Sequence, residues 1–108
     1  MASGKLAAVN PTAITLTTVY TAPASTYSVV TVNVINTGGS AATLDLVVTD
    51  AAGDTPNNPA DYIEKNLVLN SATVYEKTGI VVGNGNTIKV YTTSDDLGVL
   101  AYGIETEV

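Results

Sequence analysis

Histidine, cysteine, arginine and tryptophan are all missing from this chain of 108 residues, and its four basic residues are lysines. Nucleophilic and acid–base catalysis draws mostly on His or Cys, and Arg is the usual clamp for phosphate or carboxylate. The common enzyme chemistries therefore lack their usual side chains, and the chain is expected to be non-enzymatic, without cofactor or metal. The absence of Cys excludes disulfide staples, so stability comes from burial or assembly. Ten acids against four lysines leave a net charge of −6. That balance offers no electrostatic footprint for nucleic acid and argues against an anionic membrane surface. No apolar run approaches the roughly 20 residues of a membrane helix. Residues 1–10 hold one lysine and too short an apolar stretch for a secretory signal. Charged residues make up only 13%, against about 25% in ordinary globular chains. The surface must then be covered by Thr, Ser, Asn and Ala. Such a surface costs less to desolvate and suits contact with another protein, and it equally suits a plain Thr-rich β-protein.

What is present alternates with period 2. In residues 26–36, Val30, Val32 and Val34 share one face, with Tyr27, Val29, Thr31, Asn33 and Ile35 on the other. Residues 43–49 place Leu44, Leu46 and Val48 inward and Thr43, Asp45 and Thr49 outward. The Thr37-Gly38-Gly39-Ser40 turn between these runs predicts a β-hairpin. Further strands are predicted over 13–21 (Ile14, Leu16, Tyr20), 62–69 (Ile63, Leu67, Leu69), 73–82 (Val74, Ile80, Val82, with Gly79 as a bulge or break), 87–93 (Ile88, Val90) and 99–106 (Leu100, Tyr102, Ile104). The Gly83-Asn84-Gly85-Asn86 run is a second hairpin signal, and residues 94–98 close another turn. The longest loop runs over residues 51–60. No window carries helical spacing. One domain spanning 1–108 follows: an all-β, antiparallel sandwich of about seven or eight strands, Ig-like or jelly-roll, with a small closed barrel as the alternative. Residues 1–10 form an N-terminal arm or an edge strand.

Few side-chain groups carry chemistry. Asp50 and Asp54 lack the further ligands of a calcium loop and read as turn residues. Asp95 and Asp96 point to opposite faces if extended, which makes them poor co-ligands. The remaining carboxylates fall mostly at turns or outward strand positions, and a domain of this size leaves little room for the cleft that paired-carboxylate glycoside hydrolysis needs. The six tyrosines are the only aromatics. Each serves as core or rim filler, and two clustered on one exposed face would mark a contact site. The scattered lysines read as guards of edge strands.

Several segments resemble small virion proteins of tailed bacteriophages: Lys5-Leu6-Ala7-Ala8-Val9 through Thr18-Val19-Tyr20-Thr21-Ala22-Pro23-Ala24, then Val30-Thr31-Val32-Asn33-Val34-Ile35-Asn36-Thr37-Gly38. The likeness continues through Asp61-Tyr62-Ile63-Glu64, Leu69, Glu76-Lys77-Thr78-Gly79-Ile80-Val81-Val82 and Ala101-Tyr102-Gly103-Ile104-Glu105. It implies a β-sandwich unit on the capsid surface or tail, assembled in the host cytoplasm, with no catalytic residues to carry over. The expected role is a capsid decoration protein that binds the major capsid protein or other virion proteins and stabilises the head, as a homo-oligomer, dimer or trimer. Lys5, Leu6 and Val9 of the arm are its candidate contacts, the arm adding a strand to a neighbour. The alternative is a tail- or fibre-associated module for a receptor or glycan, using Asp54, Asn57, Asn58 and Tyr62 of the long loop.

Overall fold

The computed structural model describes residues 3–56 and 59–107. Among these residues there are eight strands: β1 (Ser3–Val9), β2 (Thr17–Thr21), β3 (Thr26–Asn36), β4 (Ala42–Thr49), β5 (Tyr62–Leu69), β6 (Val74–Val82), β7 (Thr87–Thr92) and β8 (Leu97–Glu107). They form two four-stranded antiparallel sheets, ordered β1-β8-β3-β6 and β2-β7-β4-β5. An Ig-like sandwich keeps its first two strands in one sheet, whereas here β1 and β2 lie in different sheets. The pairs β1–β8, β2–β7, β3–β6 and β4–β5 are nested. A long hairpin of four paired ribbons rolled over on itself gives this order, which is that of a jelly roll.

The roll-up corrects the two predicted hairpins. β3 and β4 sit in different sheets, as do β6 and β7. The 37–41 and 83–86 turns are therefore corners that carry the chain across the sandwich. Positive φ serves a corner as well as a hairpin, and Gly85 has a φ of 80°. Among the described residues only β4 and β5 are neighbours both in sequence and in a sheet, through the long loop.

The inner faces follow the predicted periodicity. Val30, Val32 and Val34 are fully buried against Leu44, Leu46, Ile88, Val90, Leu97 and Val99 of the core, and Val48 packs against that cluster. Bulges reset the phase elsewhere. Between Val30 and Val32, β3 meets Ile80 and then Lys77, so Thr78 and Gly79 bulge out, Gly79 at a φ of 71°. Beyond the bulge Tyr75, not Val74, faces the core; Val74 is exposed. A second bulge in β2 turns both Val19 and Tyr20 inward. The strand predicted over 13–21 starts only at Thr17. Ahead of it Asp95 accepts the Ala13 N–H, Asn10 Nδ2 donates to the carbonyls of Asp95 and Leu97, and the Ile14 N–H donates to Thr92. These bonds fix 10–14 as a turn, with Ile14 at φ 57° and 63% exposed.

Residues 3–9 form edge strand β1, paired along β8 from Ser3↔Ile104 to Val9↔Val99. Leu6 and Val9 are half-buried against the core, and Lys5 is exposed. Three lysines lie on edge strands, Lys5 on β1, Lys65 on β5 and Lys77 on β6. Lys77 occupies an inward register position opposite Val32, which blocks sheet-to-sheet addition there. Lys89 departs from that reading. It lies on central strand β7, only 6% exposed, and its Nζ donates to the Asp54 carbonyl at 2.8 Å. The first part of the long loop, residues 51–56, is thereby tied down over the outer face of β4 and β7. That cover explains why Asp45, Val47 and Thr49 are buried although they point away from the core.

Candidate functional site

The two outer faces differ. On the β1-β8-β3-β6 sheet the outward residues stay uncovered and are largely apolar. Seven of the nine large hydrophobic side chains exposed among the described residues lie here: Tyr27, Val29, Ile35, Val74, Val81, Leu100 and Ile104. Cross-strand register groups them. Val81, Val29 and Ile104 form one row next to Tyr27; Ile35 pairs with Val74, and Leu100 lies opposite Asn33 one step away. Between these groups runs a polar belt of Lys5, Tyr102 and Thr31, crossed by a 2.7 Å hydrogen bond from the Tyr102 hydroxyl to Glu76. The lower group borders a shallow trough of about 460 Å³ beside Ala8, Asn33 and Gly98. Four strands about 4.8 Å apart and up to 11 residues long present roughly 600 Å². That approaches the ~800 Å² each partner contributes to a specific interface of standard size. The apolar groups cover part of that area, on either side of the polar belt, and clustered exposed apolar side chains of this kind are often functional.

The opposite face, on β2-β7-β4-β5, is covered by Asp54 and Pro56 of the long loop and by Leu16. Between them a pocket of about 310 Å³ is lined by Leu16, Asp45, Val47, Pro56, Tyr62, Lys65 and Tyr91. Asp45 Oδ2 pairs with Lys65 Nζ at 3.2 Å, and Oδ1 accepts the Asn66 N–H at 2.7 Å. Asn66 reaches that position through a φ of 55° within β5. The Lys65 ammonium also lies 4.9 Å from the Tyr62 ring centroid. The hydrogen bond to Asp45, helped by the charge of that carboxylate, outweighs desolvation and holds the lysine above its ordinary pKa.

The candidates drawn from sequence therefore separate. Tyr62 lines the pocket, and Asp54 is exposed in the loop with its carbonyl held by Lys89. Asn57 and Asn58 lie outside the described residues. Of the N-terminal candidates, Lys5 joins the apolar face, whereas Leu6 and Val9 serve the core. Tyr91, Leu16 and Lys65 escaped notice as a group, because only the roll-up brings three separate strand regions together. Among the described residues no group of three or more Asp or Glu side chains converges.

Three tyrosines donate their hydroxyls to glutamates: Tyr20 to Glu105, Tyr75 to Glu64 and Tyr102 to Glu76. Glu105 is an exception among the carboxylates: it is buried between the sheets, where Tyr20 also meets Ser28 at 2.7 Å. Alternation places Glu105 in phase with Leu97, Val99 and Ala101, and only a polar partner on the facing sheet makes that position tolerable. Tyr75 joins β6 of one sheet to β5 of the other, and burial first, then the bond to Glu64, pushes its phenol up to about 12. A phenol whose folded pKa is raised favours folding while protonated. Its contribution is complete below the unfolded value of about 10 and is lost as pH rises through 12. The expected result is one phenol titrating near 12 at 295 nm that disappears in Tyr75→Phe, with a shallower loss of urea resistance between pH 10 and 12 in the variant. A wild-type titration unchanged by the substitution contradicts the assignment.

Set against known protein families, characterised proteins and solved structures, the chain matches none of them.

Proposed function

We propose that this protein is a non-enzymatic structural subunit of a tailed-bacteriophage virion. It docks through the outer face of β1-β8-β3-β6 onto the major capsid lattice as a decoration protein that stabilises the head. The observation that carries this reading is the uncovered apolar face, which gathers on one sheet seven of the nine large hydrophobic side chains exposed among the described residues. Three further points support it. Such a face approaches the size of a specific interface. The chain resembles small phage virion proteins along most of its length. Jelly rolls also recur among capsid domains, which is support by fold analogy alone. Copies at symmetric lattice points, as dimers or trimers, would add modest contacts by avidity. Lattice contact through a detached N-terminal arm is less favoured, since removing residues 3–9 would uncover β8 and part of the core.

The test is mass spectrometry of purified virions from cells carrying this gene, followed by immunogold labelling. Label over the head is the expected outcome; absence from the virion overturns the reading, and label confined to the tail replaces it with a tail- or fibre-associated binding module. A matched prediction uses the paired substitutions Val29→Lys and Ile104→Lys. Both residues are exposed and directly opposite in register. The doubly substituted protein is expected to bind capsids at least about tenfold more weakly while its melting temperature stays within a few degrees of wild type, because exposed substitutions move stability by about 0.5 kcal/mol or less each. Undiminished capsid binding would remove this face from the interface.

A further inference from the structure

The pocket on the opposite sheet is not used by that docking surface, and its chemistry is different. Its walls are apolar, from Leu16, Val47 and Pro56, with Tyr91 as an aromatic wall. One end is polar: the carboxylate of Asp45, itself only 6% exposed, and the ammonium of Lys65. A volume of about 310 Å³ falls at the lower end of the ~300–1,000 Å³ typical of small-molecule sites.

We infer that this pocket is a saccharide site. The polar end is a matched pair of opposite charges, so it carries no net charge. An anionic ligand would meet Asp45, and a cationic one Lys65, which leaves a neutral ring with both polar and apolar faces as the best fit. A carboxylate has about four lone-pair positions, and Asp45 commits two of them, to Lys65 Nζ and to the Asn66 N–H. The others accept hydroxyl donors, and an ammonium with three N–H groups donates to hydroxyl oxygens. Neighbouring hydroxyls on a sugar ring supply a donor and an acceptor within reach of such a pair. The C–H face of the same ring has an apolar and aromatic partner in Tyr91, Leu16 and Pro56. The covering loop is held in place by Lys89, whose ammonium is satisfied at the Asp54 carbonyl, so one wall of the site is pre-organised and less ordering entropy opposes binding.

The experiment is a glycan array probed with the labelled full chain, followed by amide-shift titration with the strongest saccharide. The expected result is saturable binding, with shifts centred on Leu16, Val47, Tyr62 and Tyr91. Asp45→Asn keeps an acceptor for the Asn66 N–H, and Lys65→Met removes the ammonium from Asp45 but leaves that carboxylate its bond from the Asn66 N–H, so both are expected to fold with some loss of stability; each should weaken binding about tenfold or more. Tyr91→Leu should do the same. No binding at millimolar saccharide overturns the inference, as do shifts centred on the β1-β8-β3-β6 face, affinity unchanged in both Asp45→Asn and Lys65→Met, or selective binding of a proline-rich peptide instead. Because the two faces belong to different sheets, any of these failures leaves the docking proposal standing, and failure of that proposal leaves this one testable.

Discussion

Gly103→Ala is expected to destabilise the fold by at least about 3 kcal/mol, a large share of the roughly 5–15 kcal/mol available to a domain of this kind. Gly103 lies in β8 opposite Val30 of β3, near the middle of an eleven-residue register that runs from Thr26↔Glu107 to Asn36↔Leu97. A Cβ built there falls 1.9 Å from the Val29 carbonyl oxygen and about 3 Å from two further β3 backbone atoms. None of these is the tip of a flexible side chain, so relief requires the two central strands of the sheet to separate. That breaks ladder hydrogen bonds and disturbs Glu105, two residues along on the same inner face and bonded to Tyr20. The φ of 157° adds to the difficulty, since only glycine adopts it without strain. Gly39→Ala is the matched control, because its Cβ would meet open space. A thermal melt should show Gly103→Ala more than about 10 °C below wild type, with Gly39→Ala nearly unchanged. Equal melting of the two variants would mean that β3 and β8 yield freely at this point.

Nothing in the local sequence singles out Gly103, and the reason is general. Periodicity reports the face on which a side chain lies, not which strand sits beside it. Hence the inner faces of β3, β4 and β7 were legible, and so was the bulge at Gly79, where glycine interrupts an alternating run. Pairing was not legible. The Gly-rich turns after β3 and β6 have the composition of hairpins and serve as corners, where Gly85 takes a positive φ and Gly38 leaves room for Asp96. Burial on the outer face was equally hidden. Asp45 and Val47 point away from the core, and only the loop that Lys89 ties down puts them under cover. The pocket inherits this property. Leu16, Asp45, Tyr62 and Tyr91 come from four segments, and no short motif joins them. The apolar docking face is half legible: periodicity puts Tyr27, Val29 and Ile35 on the face of β3 opposite its valines and Leu100, Tyr102 and Ile104 together on β8, without saying which face is outer. That these two sets form one uncovered surface follows only from β8 lying beside β3.

The second large effect is expected at Asn36, which is fully buried at the point where the chain leaves one sheet for the other. Its Nδ2 donates to the carbonyls of Ser40 at 2.9 Å and Leu69 at 3.0 Å, and its Oδ1 accepts the Gly38 N–H at 2.9 Å. Its backbone N–H donates to Thr73 and its carbonyl accepts from Ala72. One side chain thus closes the β3–β4 corner on itself and clamps it to the end of β5 in the opposite sheet. Asn36→Leu keeps the volume and removes all three side-chain bonds, leaving three backbone groups without those partners. At about 1 kcal/mol per net bond plus the added cost of buried groups left unsatisfied, the loss should be on the order of 3–5 kcal/mol. Asn36→Asp separates donor from acceptor. It retains an acceptor for Gly38 but turns a carboxylate toward two carbonyl oxygens. Burial and those oxygens raise the folded-state pKa of the new carboxyl, so the folded state takes up a proton more readily than the unfolded chain. The stability of Asn36→Asp is therefore greatest in acid and falls as pH rises through that raised pKa, whereas the deficit of Asn36→Leu has no such limb. Urea midpoints measured from pH 3 to pH 8 separate the two, and parallel profiles would mean that the side chain is not the donor at this corner.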